Sequence, residues 1–218
     1  MSQTVSISVI IPFYNNIEVL HTAINSVLDQ TYKNVEIILI DDYSSNSLDQ
    51  IKKYLLIEKV KYFRNESNKG PGFSRNVGIE NSSGDYLAFL DADDTWLNNK
   101  LEIQLNYMQK NNYLFSHTSY FRNNQDNGKI KKIRSGFINY VYPIPIFFCR
   151  IATPTVMIKK KLINEYKFDK DLRYLEDTYL WYNLSKITKL HGFNNFLAKV
   201  NMSKDSSLSF SLSENNLI

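Results

Sequence analysis

Hydrophobic and polar positions alternate in two rhythms along the first hundred residues. SISVIIPF (6–13) is a continuous, β-branched run, the pattern of a strand covered on both faces. Asn15 and Asn16 follow and can cap a helix. In IEVLHTAINSVLDQ the residues Val19, Leu20, Ala23, Ile24, Val27 and Leu28 recur at helical spacing. NVEIILI (34–40) predicts a second buried strand, ending at Asp41 and Asp42, and a short helix follows from Leu48 to Leu56. KVKYFRN (59–65) predicts a third strand, GPGFSRNVGIENS (70–82) a helix entered through two glycines around a proline, and DYLAFL (85–90) a fourth strand. A helix over 97–110 carries Leu97, Leu101, Leu105 and Met108 along one side. Strands alternating with helices imply parallel strands joined by right-handed crossovers, hence an α/β fold.

The second half has a different rhythm. YLFSHTSYFRN (113–123) and GKIKKIR (128–134) flank the turn-rich NNQDNG, which predicts an antiparallel hairpin. ATPTVMI (152–158) reads as a strand and KKLINEY (160–166) as a short helix. LEDTYLWYNLSKI (175–187) is an amphipathic helix that opens on two acids, and FNNFLAKV (193–200) is a last strand. The tail SSLSFSLSENNLI is polar with scattered apolar residues. No internal repeat or linker divides the 218 residues, so one domain is expected, with halves at about 1–100 and 101–218.

Composition narrows the class. Apolar residues make up 43% and charged residues 22%, as in a soluble globular protein rather than a disordered one. A net charge of +4 is too mild to demand a nucleic-acid partner, and none is expected. The single cysteine, Cys149, excludes an intramolecular disulfide and a cysteine zinc site, and its apolar setting predicts a buried, inert thiol. MSQTVSISVIIPFY lacks the basic region and cleavage site of a secretory signal. The longest apolar stretch, YVYPIPIFF, is short and broken by two prolines, against the roughly 20 apolar residues a membrane span needs. A cytoplasmic protein is expected. The basic clusters KIKKIR (129–134) and KKK (159–161) leave peripheral attachment to the membrane open, beside the plainer reading of solvated lysines.

In open α/β sheets ligands bind at the carboxyl ends of the strands. Polar residues gather there: Pro12, Tyr14 and Asn15, then Asp41 and Asp42, then Asn65 and Asn68, then Asp91 and Asp93. Asp91 and Asp93 are two apart and project to the same side of extended backbone. Two such carboxylates are hard oxygen ligands suited to Mg²⁺ or Mn²⁺. Asp94 fits a cap for the helix that follows. Asp41 and Asp42 suit ribose hydroxyls, a pyrimidine N–H, or a helix cap. GPGFSRN lacks the dinucleotide fingerprint, but its glycines let backbone approach a ligand, and Arg75 stands where it can neutralise a phosphate or stack on a base. Glu176 and Asp177 at a helix start suit either the helix dipole or general-base chemistry. Arg173 precedes the acidic pair and is a candidate to reach a phosphate, while His21 and His117 fit no metal or triad pattern and His191 carries only a weak signal.

ISVIIPFYN (7–15), Asp41-Asp42, GPGFSRN, GDYLAFLDADD and Glu176-Asp177 together resemble the family 2 inverting glycosyltransferases of the GT-A fold. The likeness is dense over about 6–100 and thinner through ATPTVMI and LEDTYLWY to SLS near 207–209. It implies a Rossmann-like, mostly parallel central sheet flanked by helices, with a smaller acceptor-side subregion. The nucleotide-sugar donor, with uridine diphosphate as carrier, would lie against Pro12 and Tyr14, with Asp42 on the base and Asn68 and Arg75 holding the nucleotide. Asp91 would serve the ribose and metal region, and Asp93 would be the main ligand of a divalent cation. Asp177 would be the catalytic base, and Glu176 would orient the glycan or lipid-linked acceptor. Asn201 and Lys204 stand where relatives commonly carry arginine or histidine, and Lys199 or Lys204 offers a point charge instead. Bacterial surface polysaccharide synthesis follows from the same resemblance. Two enzyme alternatives lack their signatures: the basic, glycine-rich N-terminal loop of a pyrophosphorylase and the GxGxxG turn of a dehydrogenase. A non-catalytic nucleotide-sugar or glycan binding module on the same fold is the remaining alternative.

Overall fold

The computed structural model describes residues 5–136, 139, 142, 150–163 and 165–202; Cys149, Lys204 and the polar tail lie outside them. β1 (Ile7–Phe13) and β2 (Val35–Asp41) pair in parallel from Ile7 opposite Val35 to Phe13 opposite Asp41. β3 (Val60–Arg64) adds to β2 and β4 (Tyr86–Phe89) adds to β1, both parallel. Every residue of β1 is buried. Its alternating side chains therefore feed two cores, with Val9, Ile11 and Phe13 on one face and Ile10 on the other.

Three helices belong to this half: α1 (Ile17–Leu28), α2 (Lys52–Leu55) and α3 (Pro71–Glu80). α1 covers the first face with Ile17, Leu20, Ala23, Ile24 and Val27. Val19, expected on that stripe, is 40% exposed, and Ile17 takes the buried place instead. Asn16 occupies the N-cap of α1 without a side-chain cap bond, contrary to expectation. Asn15 has φ 55°, and its Oδ1 accepts the Ser45 N–H at 2.8 Å, tying together the loops after β1 and β2. α3 lies on the opposite face. Gly78 permits that close approach, since a Cβ there would stand 2.4 Å from Cγ2 of Ile10.

Beyond β4 the sheet becomes mixed. The remaining strands are β5 (Thr95–Trp96), β6 (Phe115–Asn124), β7 (Ile130–Ile133), β8 (Met157–Lys159) and β9 (His191–Met202). The order is β3-β2-β1-β4-β8-β6-β9-β5, with β7 paired to β6 as the antiparallel hairpin. α4 (Lys100–Lys110), α5 (Lys160–Ile163) and α6 (Glu176–Ser185) complete the described helices. Leu180, Trp181 and Leu184 of α6 pack into the second core with Phe89, Phe115 and Phe168.

Further expectations need correction. The segment 152–158 is not one strand. A 3₁₀ turn, Thr153–Thr155, precedes β8, because Pro154 has no N–H to give a ladder. The helix expected from 97 starts at Lys100, because Thr95 and Trp96 pair with Lys199 and Ala198 of β9. The N-cap of α4 is therefore Asn99, not Asp94. Among the described residues no helix is long and apolar enough to cross a membrane.

Candidate active site

A cavity of about 610 Å³ opens at the carboxyl ends of the parallel strands. Its walls include all of Pro12, Tyr14, Asp42, Asn68, Arg75, Asp91, Asp93, Glu176 and Asp177. The parallel half contributes the loops after β1, β2, β3 and β4. The other half contributes the 3₁₀ turn, the start of α6 and the end of β9.

The two acids after β2 have separate work. Asp41 is fully buried and accepts from the Ser44 N–H at 2.7 Å, the Tyr62 hydroxyl at 2.8 Å and Arg64 Nη1 at 3.0 Å. It fixes the end of the strand. Asp42 is 4% exposed and lines the cavity. Its Oδ1 accepts from Asn65 Nδ2 at 2.8 Å and the Lys69 N–H at 2.9 Å, and its Oδ2 accepts the Gly70 N–H at 2.8 Å. Gly70 sits at φ +89°, a conformation that favours glycine, and so turns its amide onto Asp42. A carboxylate offers about four acceptor positions. Three are filled, which leaves one for a ligand N–H or O–H.

Asp91, Asp93 and Asp94 crowd the next loop. Asp91 accepts from Arg75 Nη2 at 2.7 Å. Asp93 has no cationic partner of this kind among the described residues, and burial together with the Asp91 charge pushes its carboxyl up to about 6. Asp94 is buried, and its Oδ1 accepts the Asn201 N–H at 2.7 Å. Burial, then Asp91 and Asp93, raises it well above the usual carboxylate range. The Asn201 side chain donates in turn to the Asp93 carbonyl and accepts from Asn123 Nδ2 at 2.9 Å. Asn201 thus braces the acidic loop against β9 and β6. Lys199 is exposed and does not line the cavity, which β9 reaches through Val200, Asn201 and Met202.

Arg75 crosses the cavity wall. It is 5% exposed, and it holds Asp91 with one terminal nitrogen and Glu176 Oε1 with the other, at 2.6 Å. It is therefore not a solvated surface arginine. Burial works against the charge, but Asp91 and Glu176 raise Arg75 above its ordinary value. Burial also raises the Glu176 carboxyl, with Arg75 opposing and Asp177 adding to the shift. Asp177 is half-buried; its Oδ2 accepts from Thr153 Oγ1 at 2.8 Å, and its Oδ1 accepts the Thr178 N–H at 2.6 Å. Both terminal nitrogens of Arg75 are committed to carboxylates, so its charge is shared between the two sides of the site. Arg173 is exposed and also lines the cavity.

Other lining residues carried no signal in the sequence. Thr153 lay inside what reads as a strand. Tyr174 and Leu175 line the cavity while 46% and 48% exposed, and Leu175 enters α6 at φ 59°. A non-glycine residue in that region is uncommon, and nothing in the local sequence announces it.

The profile of Glycosyl transferase family 2 matches residues 8–172. An uncharacterized glycosyltransferase of Rickettsia bellii is 43% identical over 91% of this chain and 29% of its own length. The UDP-Glc:alpha-D-GlcNAc-diphosphoundecaprenol beta-1,3-glucosyltransferase WfgD of Escherichia coli is 34% identical over 86% of this chain and 73% of its own. The crystal structure of S. aureus TarS 1-349 in complex with UDP-GlcNAc superposes with a TM-score of 0.75 at 20% identity, covering 90% of this chain and 58% of that one. The chain therefore spans 29% of the Rickettsia relative and 58% of the TarS chain. The match in architecture is to the GT-A fold, and the chain belongs to glycosyl transferase family 2.

Proposed function

We propose that this chain is an inverting glycosyltransferase. It moves a sugar from a nucleoside diphosphate donor, a UDP-sugar, to a hydroxyl of a glycan or lipid-linked acceptor in bacterial surface polysaccharide synthesis. The observation that carries the reading is one cavity in which Asp91 and Asp93 meet a separate carboxylate, Asp177, on another element. UDP as carrier is supported by the donor in the name of WfgD and by the nucleotide sugar bound to TarS.

Asp177 takes the proton from the acceptor hydroxyl, whose oxygen attacks the anomeric carbon. The bond from that carbon to the diphosphate oxygen breaks, and the nucleoside diphosphate leaves with the electron pair. One displacement inverts the carbon and needs one base. Asp42 and Asn68 hold the nucleotide against Pro12 and Tyr14. Glu176, oriented by Arg75, faces the acceptor.

Asp93 and Asp91 are the residues to hold a divalent cation, Mn²⁺ or Mg²⁺. Their chemistry fits: both are hard oxygen donors, and Asp93 is disfavoured as an anion until a positive charge arrives. No group of three potential metal ligands stands together among the described residues. That suits a cation completed by water and substrate phosphate rather than by a protein cage. When bound, such a cation offsets the charge that builds on the departing diphosphate.

A thermal-shift panel of nucleotide sugars with Mn²⁺ tests donor and metal together. Stabilisation by one UDP-sugar, abolished by chelator, is expected; stabilisation that survives chelation would overturn the metal assignment. NMR of the product distinguishes inversion from retention at the anomeric carbon. The same reading puts the enzyme in the cytoplasm, attached peripherally through Lys129, Lys131 and Lys132 on the exposed β7 hairpin. Sedimentation with anionic but not neutral vesicles is the expected result.

A further inference from the structure

We propose that Thr153 is a positioning residue for the base, selecting Oδ2 of Asp177 as the oxygen that meets the acceptor hydroxyl. This rests on the reading of Asp177 as the base. Oδ1 of Asp177 receives two donors, the Thr178 N–H at 2.6 Å and Thr178 Oγ1 at 3.3 Å. Each carboxylate oxygen has about two acceptor positions, so Oδ1 is filled. Among the described residues Oδ2 receives only Thr153 Oγ1, at 2.8 Å, and keeps an open position beside the cavity. The two oxygens are thus held from different elements. Rotating the carboxylate to offer Oδ1 would break bonds at both ends.

The hydroxyl can do this because its backbone is fixed. Thr153 is 4% exposed and begins the 3₁₀ turn, where Pro154 restricts φ. The turn closes on the Ala152 carbonyl, which accepts from the Thr155 N–H at 2.9 Å and Thr155 Oγ1 at 2.6 Å. Two buried side chains grip it from behind. Trp96 Nε1 donates to the Pro154 carbonyl at 2.8 Å, and Gln104 Nε2 donates to the Thr155 carbonyl at 3.0 Å. The turn is therefore anchored on β5 and α4, while the carboxylate it orients rides on α6. Proton abstraction depends on geometry of this kind, and a displacement of about 1 Å at a reacting group costs on the order of 100-fold.

The test measures kcat, acceptor KM and UDP affinity for Thr153→Val, Thr153→Ser and Asp177→Asn. Thr153→Val keeps the side-chain volume and loses the donor. Its kcat is expected to fall about 10- to 100-fold, with UDP affinity unchanged, and Thr153→Ser should recover most of the loss. Wild-type kcat in Thr153→Val would overturn the proposal, as would Thr153→Ser as slow as Thr153→Val. If Thr153→Val fails to fold, Thr153→Ala takes its place against Thr153→Ser under the same criteria. Asp177→Asn separates the two levels. Retained transfer in that variant would remove the base assignment and this proposal with it. Lost transfer there, beside a fully active Thr153→Val, would remove only the positioning role.

Discussion

The two rims of the cavity are built by opposite means. The rim made of strand ends has Asp42 and Asp91 hydrogen-bonded before any ligand arrives. Asp42 has three internal donors at 2.8–2.9 Å and only 4% of its surface exposed. The rim formed by Tyr174 and Leu175 is open, with both side chains nearly half exposed. Pre-organised hydrogen bonds suit a part that recurs, such as a nucleotide, because less ordering entropy is lost on binding. Exposed aromatic surface suits a variable part, such as a glycan acceptor, since it accepts sugar faces without demanding one pattern. Arg75 is the link between the rims, because it grips an acid of each.

If the rims are chemically distinct, substitutions should separate binding from transfer. The largest effect is expected at Asp177→Asn. Transfer should fall by about 10²–10⁴-fold, the range for loss of a general base. Donor affinity by calorimetry should stay unchanged, and a parallel loss of donor binding would merge the two rims into one. Asp93→Ala should do the reverse. Loss of a charged ligand contact of about 2–3 kcal/mol corresponds to roughly 100-fold weaker Mn²⁺-dependent donor binding. Donor binding that persists at full strength in that variant would remove Asp93 from the metal site.

The rims also differ in how far the sequence announced them. The donor rim follows from local periodicity. Buried β-branched runs mark where strands end, and the end of each strand points to the residues that face the ligand. Pro12, Tyr14, Asp42, Asn68, Asp91 and Asp93 do line one cavity, whereas Asn15, Asp41 and Asn65 stand behind its wall and hold the loops in place. Asp94 was misread because its role is set at long range. Its partner is Asn201, and the pairing of Thr95–Trp96 with β9 leaves no local signature. Thr153 was hidden for a similar reason. ATPTVMI has strand composition, and only Pro154 hints at a break. The bridge from Arg75 to Glu176 joins residues 101 apart, so spacing could not reveal it.

Tyr174→Ala should sharpen the contrast at lower cost. An aromatic contact of about 0.5–1.5 kcal/mol predicts up to a tenfold rise in acceptor KM. UDP affinity should not move. An equal loss of UDP affinity would show that this rim serves the donor as well.

The smallest expected effect concerns the seam beneath the rims, where a second buried cation contrasts with Arg75. Lys100 is fully buried, donates to Gln104 Oε1 at 2.8 Å and lies 4.2 Å from the centre of the Trp96 ring. Arg75 keeps its charge between two carboxylates, whereas burial lowers Lys100 to about 7. In the unfolded chain the amine titrates near its ordinary value of about 10.4. Between these values the unfolded chain holds a proton that the folded protein lacks, so this group makes stability rise as pH climbs from about 7 to about 10. Below that window both states are protonated, and the fold bears the full cost of a buried charge. Lys100→Met should therefore raise Tm by about 2–4 °C at pH 6, the shift expected for roughly 1 kcal/mol in a chain of this size. Calorimetry should find that gain shrinking by pH 9. An advantage that is the same at both pH values would mean that Lys100 keeps one charge state throughout. It would then resemble Arg75, and the contrast between the paired and the unpaired cation would fail.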